Sequence, residues 1–560
     1  MIPVNCAQVL IEGLKAMGTK RIYGVIGTSN ISFIDALYDY QDEIRYISCR
    51  HEQVAASMAD AEGRLTGIPG VVLTHSGPGT LNSLIAVGNA YKDCSPMIVL
   101  SGAVKKKLKG SGGMLEADHR NIFAPLCKGV FRIEDAGQVA AVLSRAYTLV
   151  VSGARGPVLI EVPEDVWGDE LGGDTPAFRL SAEYRPPLHV EDVWKTLGMV
   201  KEAERPLLLA GGGVAYAHCS DLLVRLAEAV QVPVITTGNG RGTIPEDHRL
   251  CLGRVGFGGG NTVADAALSE ADLIMGLGCT LSDMTTYEYT LPVKGEVILV
   301  NIDLEAMVTS RFQAQYMVEA DVKDYLAEAL GAIRDYRPPL REAWWGFIEP
   351  KRQEWRNRVQ EAIDSDKVPL SPGRMVHELS LLLPEEHIVT VGGGTHVLYP
   401  MAFLPCLKPL TYLSAVNFGA MGFGFPAALS AKLIYPESEV VAILGDGDFM
   451  MTLQDLETAC REGIKVRVLV INDNMYRVLN LRQRLQCGGR ILGTCHGNPD
   501  FAALARAFGA AGFRLDKVED IVPVLREALA APGPAVVDAI IDPDDLPPLN
   551  LEATMRMGMG

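Results

Sequence analysis

Short apolar runs that end in glycine recur along the whole chain. Arg21-Ile22-Tyr23-Gly24-Val25-Ile26-Gly27, Tyr46-Ile47-Ser48, Gly70 to Thr74 and Pro96 to Gly102 read as strands, and Ala7 to Met17 carries helical spacing. The alternation returns in Pro206 to Ala210, Val232 to Thr237, Ala271 to Gly276 and Val297 to Ile302, with a helix over Leu222 to Ala229. It returns again in His387 to Val391, Val440 to Leu444 and Val466 to Ile471, with helix-like spacing over Thr452 to Glu462. Continuous apolar strands alternating with helices predict parallel sheets covered on both faces. The expected class is α/β, with three doubly wound parallel-sheet domains over 1–168, 190–335 and 370–545 and a tail over 546–560. Arg185-Pro186-Pro187-Leu188 reads as a linker, and the charged stretch Arg341 to Lys367, with Trp344, Trp345 and Trp355, as a helical one packed on the surface. Leu549 to Gly560 reads as a disordered or lid-like end.

With 560 residues, 48% of them hydrophobic, the chain has ample material for several large cores. Its net charge of −17 argues against nucleic acid or an anionic membrane surface as a partner. The 11 cysteines are scattered without CxxC spacing, which suggests reduced thiols in a cytoplasmic protein. The N-terminus lacks a basic region followed by an apolar one, so no signal peptide is expected, and no apolar run is long enough to span a membrane.

The most informative stretch is Gly445-Asp446-Gly447-Asp448, answered by Asn472-Asp473-Asn474. Each follows an apolar strand, so two adjacent strand ends would bring Asp446 and Asp473 together, where open α/β sheets bind ligands. Hard oxygen ligands of this kind suit Mg²⁺ carrying a diphosphate. Two ordinary strand-to-helix turns are the bland alternative, since Gly and Asp are common turn residues.

The segments RHEQVAASMADAEGRLTG and GVVLTHSGPGTLNSLIAVGNAYKDCSPMIVLSG, together with the GDG-to-ND spacing, resemble thiamine-diphosphate (ThDP) enzymes of the acetolactate synthase, pyruvate oxidase and benzoylformate decarboxylase group. The resemblance covers nearly the whole chain. It implies a metal site of Asp446, Asp473 and the backbone carbonyl of Met475, with Asp473 standing where the family has a second Asn. It implies that Glu52 protonates a pyrimidine ring nitrogen of ThDP, so that the exocyclic amino group takes the proton from the thiazolium carbon. That role calls for a dry pocket, where desolvation raises a carboxyl pKa. A helix-terminal carboxylate is the plainer reading of Glu52.

His75-Ser76-Gly77-Pro78-Gly79-Thr80 is similar to the benzoylformate decarboxylase pattern, which implies a proton-relay role for His75 and a substrate-carboxylate role for Thr28. Thr395 and His396, after Gly392-Gly393-Gly394, match the polar pair that meets the diphosphate, beside Gly447 and Asp448. In GAMGFGFPAA, Met421 matches the apolar residue that bends the cofactor, and the Gly419 carbonyl would accept from its amino group. GGMLEADHRNIFAPLCK resembles a synthase loop, with Leu115 in place of a Gln and Lys128 retained. Glu116, Asp118, His119 and Arg120 read as a solvated loop face. Arg482 stands where synthases carry an acceptor-selecting Trp and would favour an anion, unless it is a solvated helix residue. Gly488 to Pro499 is expected to be a mobile loop over the site.

Relatives bind FAD in the central domain. Here Gly211-Gly212-Gly213 is not a full GxGxxG, and Cys279 to Ser282 lacks the Arg of flavin-binding relatives. Gly253 to Gly258 could cradle a phosphate, but FAD is the weaker reading, and a domain that packs the dimer and lines a substrate channel is preferred. The resemblance implies a ThDP- and Mg²⁺-dependent enzyme acting on a 2-oxo acid by decarboxylation and then carboligation, as a homodimer or homotetramer with sites at the subunit interface. The alternatives are a 2-oxo acid decarboxylase or acyl-CoA lyase that does not ligate, and a non-catalytic partner subunit.

Overall fold

The computed structural model describes residues 4–172, 178, 180, 183–257, 260–309, 311–334 and 337–548. The tail expected at Leu549 to Gly560, and Gly258 of the glycine-rich Gly253 to Gly258 segment, lie outside the described residues.

The described strands form three six-stranded sheets. The first contains β1 (Arg21–Gly24), β2 (Arg45–Ser48), β3 (Gly70–Thr74), β4 (Met97–Ala103), β5 (Gly129–Arg132) and β6 (Pro157–Pro163), in the order β2-β1-β3-β4-β6-β5. The second contains β7 (Pro206–Ala210), β8 (Val234–Thr236), β9 (Cys251–Arg254), β10 (Leu273–Leu277), β11 (Glu296–Asn301) and β12 (Tyr316–Glu319), in the order β12-β11-β10-β7-β8-β9. The third contains β13 (His387–Val391), β14 (Tyr412–Leu413), β15 (Glu439–Gly445), β16 (Arg467–Asn472), β17 (Ala511–Leu515) and β18 (Ala535–Ile540), in the order β14-β13-β15-β16-β18-β17. Neighbouring strands run parallel throughout, for example Gly445 opposite Ile471 in β15 and β16. The central strands β3 and β4 are buried at every residue, which explains why their sequences are apolar without alternation.

Each sheet has a central point where the strand order reverses, besides the edge pairs β6-β5 and β18-β17 of the first and third sheets, and ligands of such sheets bind outside the carboxyl ends at the central point. The reversals fall between β1 and β3, between β7 and β10, and between β13 and β15. The turns at those ends carry Thr28 and His75 in the first sheet, Gly212 and Gly278 in the second, and Thr395 and Asp446 in the third. Topology alone therefore selects three ligand-binding mouths.

The first and third sheets share a core. The Glu52–Thr66 helix is rich in small residues and lies against the Gly424–Ile434 helix of the third domain. One apolar cluster runs from Val54, Ala55 and Met58 to Phe423, Phe425 and Phe449. The Glu52–Thr66 helix is capped by His51, whose ring accepts from the Gln53 N–H, and ends at Gly67 with φ 70°.

A buried ionic group joins all three domains. Arg64 contacts Asp60 at 2.7 Å and Asp93 at 2.8 Å. The other oxygen of Asp93 accepts from Asn239 of the central domain at 2.7 Å and from Asn417 of the third at 2.5 Å.

Three local expectations change. The strand expected over Arg21 to Gly27 stops at Gly24 and is followed by a 3-10 turn over Thr28–Asn30. The helix expected over Thr452 to Glu462 divides into a 3-10 turn, Leu453–Asp455, and a short helix, Leu456–Arg461. The linker helix, Glu342–Ile363, is not merely a surface element: Trp344 is buried in the core of the central domain and donates from Nε1 to the Pro206 carbonyl.

Candidate active site

Glu52 opens its helix and is nearly buried, at 8% exposure. Its Oε2 accepts from Asn82 Nδ2 at 2.9 Å. Beside it, Gly77 turns the chain with φ 63°, and a Cβ there would lie 2.6 Å from the Leu115 carbonyl oxygen, so glycine is required. His75 is half-buried at the end of β3, and burial lowers its pKa below the usual value.

Ser29, rather than Thr28, holds His75. Ser29 Oγ lies 2.8 Å from His75 Nδ1, whereas Thr28 is exposed on the protomer. Leu115 adopts φ 69° and its carbonyl accepts from Ser76 Oγ at 3.0 Å, so the 110–119 loop is docked on the His75 turn through its backbone.

His119, expected on a solvated face, is buried. Its Nε2 accepts from the Gly77 N–H at 3.1 Å and its Nδ1 faces Glu161 at 3.0 Å, with Arg132 on the far oxygen of Glu161 at 2.6 Å. Glu116 caps its own loop by accepting from Gly110 and Gly112. Lys128 does not join this group. Its Nζ donates to the Ser152 and Ala154 carbonyls at 2.7 and 2.6 Å.

In the third domain, β15 and β16 bring Asp446 and Asp473 to neighbouring strand ends. Asp446 Oδ1 accepts from the Gly447 N–H at 2.7 Å, and its Oδ2 accepts from Asn498 Nδ2 at 2.6 Å. The same amide donates to Asn472 Oδ1 at 2.9 Å. The Gly488 to Pro499 segment is thus pinned on the carboxylates: the Thr494 carbonyl accepts from the Tyr476 N–H, and His496 packs on the Tyr476 ring. Asp473 Oδ2 pairs with Arg477 Nε at 3.0 Å, and its Oδ1 accepts from the Met475 N–H at 3.2 Å. Burial pushes the Asp473 carboxyl up to about 7, with Arg477 opposing and Asp446 adding to the rise.

Asp448 Oδ1 ties two turns together by accepting from Gly422 N–H at 2.6 Å and Gly393 N–H at 3.3 Å. Burial pushes Asp448 up to about 7 and His396 down to about 3. Within the chain the first and third domains touch where Gln53 Nε2 donates to the Met421 carbonyl at 3.0 Å. Thr395 is half-buried in the 3-10 turn after β13, and Gly419 is exposed with φ 72°. Arg482 is half-buried on the Arg477–Gln486 helix and makes no ion pair with a described residue, whereas Arg484 pairs with Asp544 at 2.8 Å.

The residues present fit a metal-bound diphosphate. Asp446 and Asp473 supply hard oxygens at adjacent strand ends. His396 Nε2 and Asp448 Oδ2 are buried, face each other at 3.5 Å and have no hydrogen-bond partner among the described residues, so a ring N–H there could be satisfied by a phosphate oxygen. A Cβ on Gly419 would meet nothing within 4 Å, so the space beside that turn is open. Among the described residues no three His, Cys, Asp or Glu side chains cluster as a metal set.

Sequence reasoning missed Ser29, Asn82, His119, Arg477 and Asn498. Only Arg477 had a local signal, an Arg four residues after an Asp at a helix start.

Three doubly wound domains, with an acidic strand-end pair in the third and a buried Glu at a helix start in the first, define a cofactor-dependent α/β enzyme. The family models of thiamine pyrophosphate enzymes match in three parts: the N-terminal TPP binding domain over 4–122, the central domain over 193–329 and the C-terminal TPP binding domain over 392–539. The chain is 33% identical to the "Probable acetolactate synthase large subunit" of Methanocaldococcus jannaschii, covering 97% of this chain and 93% of that protein. It is 32% identical to the "Acetolactate synthase" of Mycobacterium bovis (96% and 88% covered) and 30% identical to the "Acetolactate synthase isozyme 3 large subunit" of Escherichia coli K12 (93% and 92% covered). The chain belongs to the acetolactate synthase-like family of thiamine-diphosphate-dependent enzymes.

Proposed function

We propose that the enzyme decarboxylates a 2-oxo acid with ThDP and Mg²⁺ and joins the remaining fragment to a second carbonyl compound. The observation that carries this reading is the pair of adjacent strand ends that present Asp446 and Asp473, next to Asp448, which accepts from the Gly422 N–H of the Met421–Gly422 turn. When bound, ThDP supplies a nucleophilic carbon and an electron sink for loss of CO₂. Asp446, Asp473 and the Met475 carbonyl would hold the cation, and Thr395, His396, Gly447 and Asp448 would line the diphosphate. Glu52 would present its carboxyl to the pyrimidine ring, Met421 would support the bent cofactor, and the Gly419 carbonyl would accept from the amino group. His75 and Thr28 would meet the substrate.

A second reading, cleavage without coupling, is favoured by His75, an imidazole beside the Glu52 pocket, and by Leu115, which offers no polar side chain there. A panel of 2-oxo acids and acyl-CoAs with ThDP and Mg²⁺ separates the two by mass spectrometry. A hydroxyketone product supports ligation; aldehyde or formyl product alone supports the second reading, and neither CO₂ nor a cleavage product from any substrate overturns both.

The domains are taken as 1–168, 190–335 and 370–545. Ile26, Ile31, Leu81 and Ile85 are exposed apolar residues flanking the His75 turn, which supports a site completed by a second copy, in a homodimer or homotetramer. No described helix is long and apolar enough to cross a membrane, and a cytoplasmic location is proposed. At the reversal of the central sheet, a cleft of about 330 Å³ lies beside Gly212, Gly213 and Gly278. FAD there is the weaker reading, since the Cys279 to Ser282 turn has no Arg; the visible absorbance of the purified enzyme tests it.

A further inference from the structure

His75 is held at one ring nitrogen by two donors. The Ser29 backbone N–H points at Nδ1 from 3.3 Å, and Ser29 Oγ lies 2.8 Å from the same atom. A backbone N–H has no lone pair to offer, so Nδ1 must be the acceptor. The hydroxyl is consistent with this. Its oxygen accepts from the Ser76 N–H at 2.9 Å, which leaves its hydrogen for Nδ1. In a neutral imidazole with Nδ1 unprotonated, the proton lies on Nε2.

Ser29 is itself fixed. It is 2% exposed, and its carbonyl accepts from Trp167 Nε1 at 2.7 Å. The ring is clamped as well, since a Cβ on Gly27 would lie 2.3 Å from His75 Cγ. The following turn is secured independently by His119, which accepts from the Gly77 N–H. His75 Nε2 has no hydrogen-bond partner among the described residues, and Gly79 lies between the His75 and Glu52 side chains.

We propose that Ser29 is a positioning residue that fixes neutral His75 as its Nε2–H tautomer, so that His75 is a hydrogen-bond donor to an oxygen of the bound 2-oxo acid and not a base. This rests on the reading that His75 lies at the reaction centre. Burial, by disfavouring the charged ring, keeps His75 neutral near pH 7.

The test begins with the unmodified enzyme, without ThDP. Selective ¹⁵N-histidine labelling and a long-range ¹H–¹⁵N correlation spectrum, assigned against His75→Gln, report which ring nitrogen carries the proton. A protonated Nε2 is expected; a protonated Nδ1 overturns the inference whatever the reaction proves to be. Ser29→Ala keeps the residue-29 backbone N–H on Nδ1, so Nε2 should stay protonated, while loss of the hydroxyl contact loosens the ring and lowers kcat/KM roughly 10-fold, the worth of about one hydrogen bond. Unchanged kinetics in Ser29→Ala remove the positioning role of its side chain. Normal turnover by His75→Gln removes the donor role and with it the reading of His75, even with Nε2 protonated.

Discussion

Arg477 Nε lies 3.0 Å from Asp473 Oδ2, and both side chains are almost wholly buried. The family pattern has a neutral Asn where this chain has Asp473, and Arg477, four residues on at the first position of the next helix, offsets the added charge. The guanidinium also donates to the Pro543 and Asp542 carbonyls and to Tyr399 Oη. Removing either partner leaves a buried charge unpaired. Arg477→Met should therefore destabilise the protein by about 3 kcal/mol. Asp473→Asn with Arg477→Met should recover most of that loss in urea unfolding. A double variant no more stable than the single one would show that the pair is not the compensation.

Glu52→Gln keeps the size of the side chain and a partner for Asn82 but removes the acidic proton. Exchange at the thiazolium carbon of bound ThDP should slow by roughly 10²- to 10⁴-fold, with ThDP affinity little changed. Hydrogen–deuterium exchange of the bound cofactor measures it, and unchanged exchange would sink the assignment.

Asp448 gives a pH signature to the cofactor-free protein. Its folded pKa is raised from 3.8 to about 7, so folding disfavours the ionised form. The penalty is absent below the unfolded value of 3.8, grows as pH rises, and is complete above about 7. Its full size is on the order of 4 kcal/mol. Asp448→Asn retains an acceptor for the Gly422 N–H and should flatten the stability profile across that window. A slope identical to that of the unsubstituted chain in pH-dependent unfolding would remove Asp448 as its source.

Lys128→Met should leave KM for the 2-oxo acid unchanged while lowering stability by about 1–3 kcal/mol, because two carbonyls lose their donor. Thermal unfolding and steady-state kinetics are read together. A KM increase without loss of stability would return Lys128 to the substrate site.

Arg482→Trp should shift acceptor preference from anionic to small apolar carbonyl compounds, measured as a ratio of kcat/KM values. An identical substrate profile would leave Arg482 as a helix residue without a part in recognition.

The sequence was most legible where chemistry sits at a strand end. Asp446 and Asp473 could be paired because parallel strands put their carboxyl ends together, and β15 and β16 are adjacent. Glu52 could be found because a helix start follows β2 at once. Side-chain partners brought in from other elements were not legible. Ser29 meets His75 only because β1 and β3 flank the reversal of the first sheet, and Asn498 reaches Asp446 only through the path of its loop. The Ser152 and Ala154 carbonyls that hold Lys128 were not legible either, because a motif position fixes distance along the chain and not the partners a side chain meets. His119 was misread for the related reason that a charged stretch reveals nothing of which member turns inward.

The carboxylate of Asp93 bears on how this chain can be taken apart. Arg64, Asn239 and Asn417 converge on it from three domains. A fragment ending before residue 206 would strip Asn239 and Asn417 from Asp93 and the Ser414 carbonyl from Arg64, leaving a buried ionic group short of donors and acceptors. The domains are separate in architecture but share one electrostatic keystone, so a fragment lacking the central or the third domain should be less stable than the chain that keeps all three.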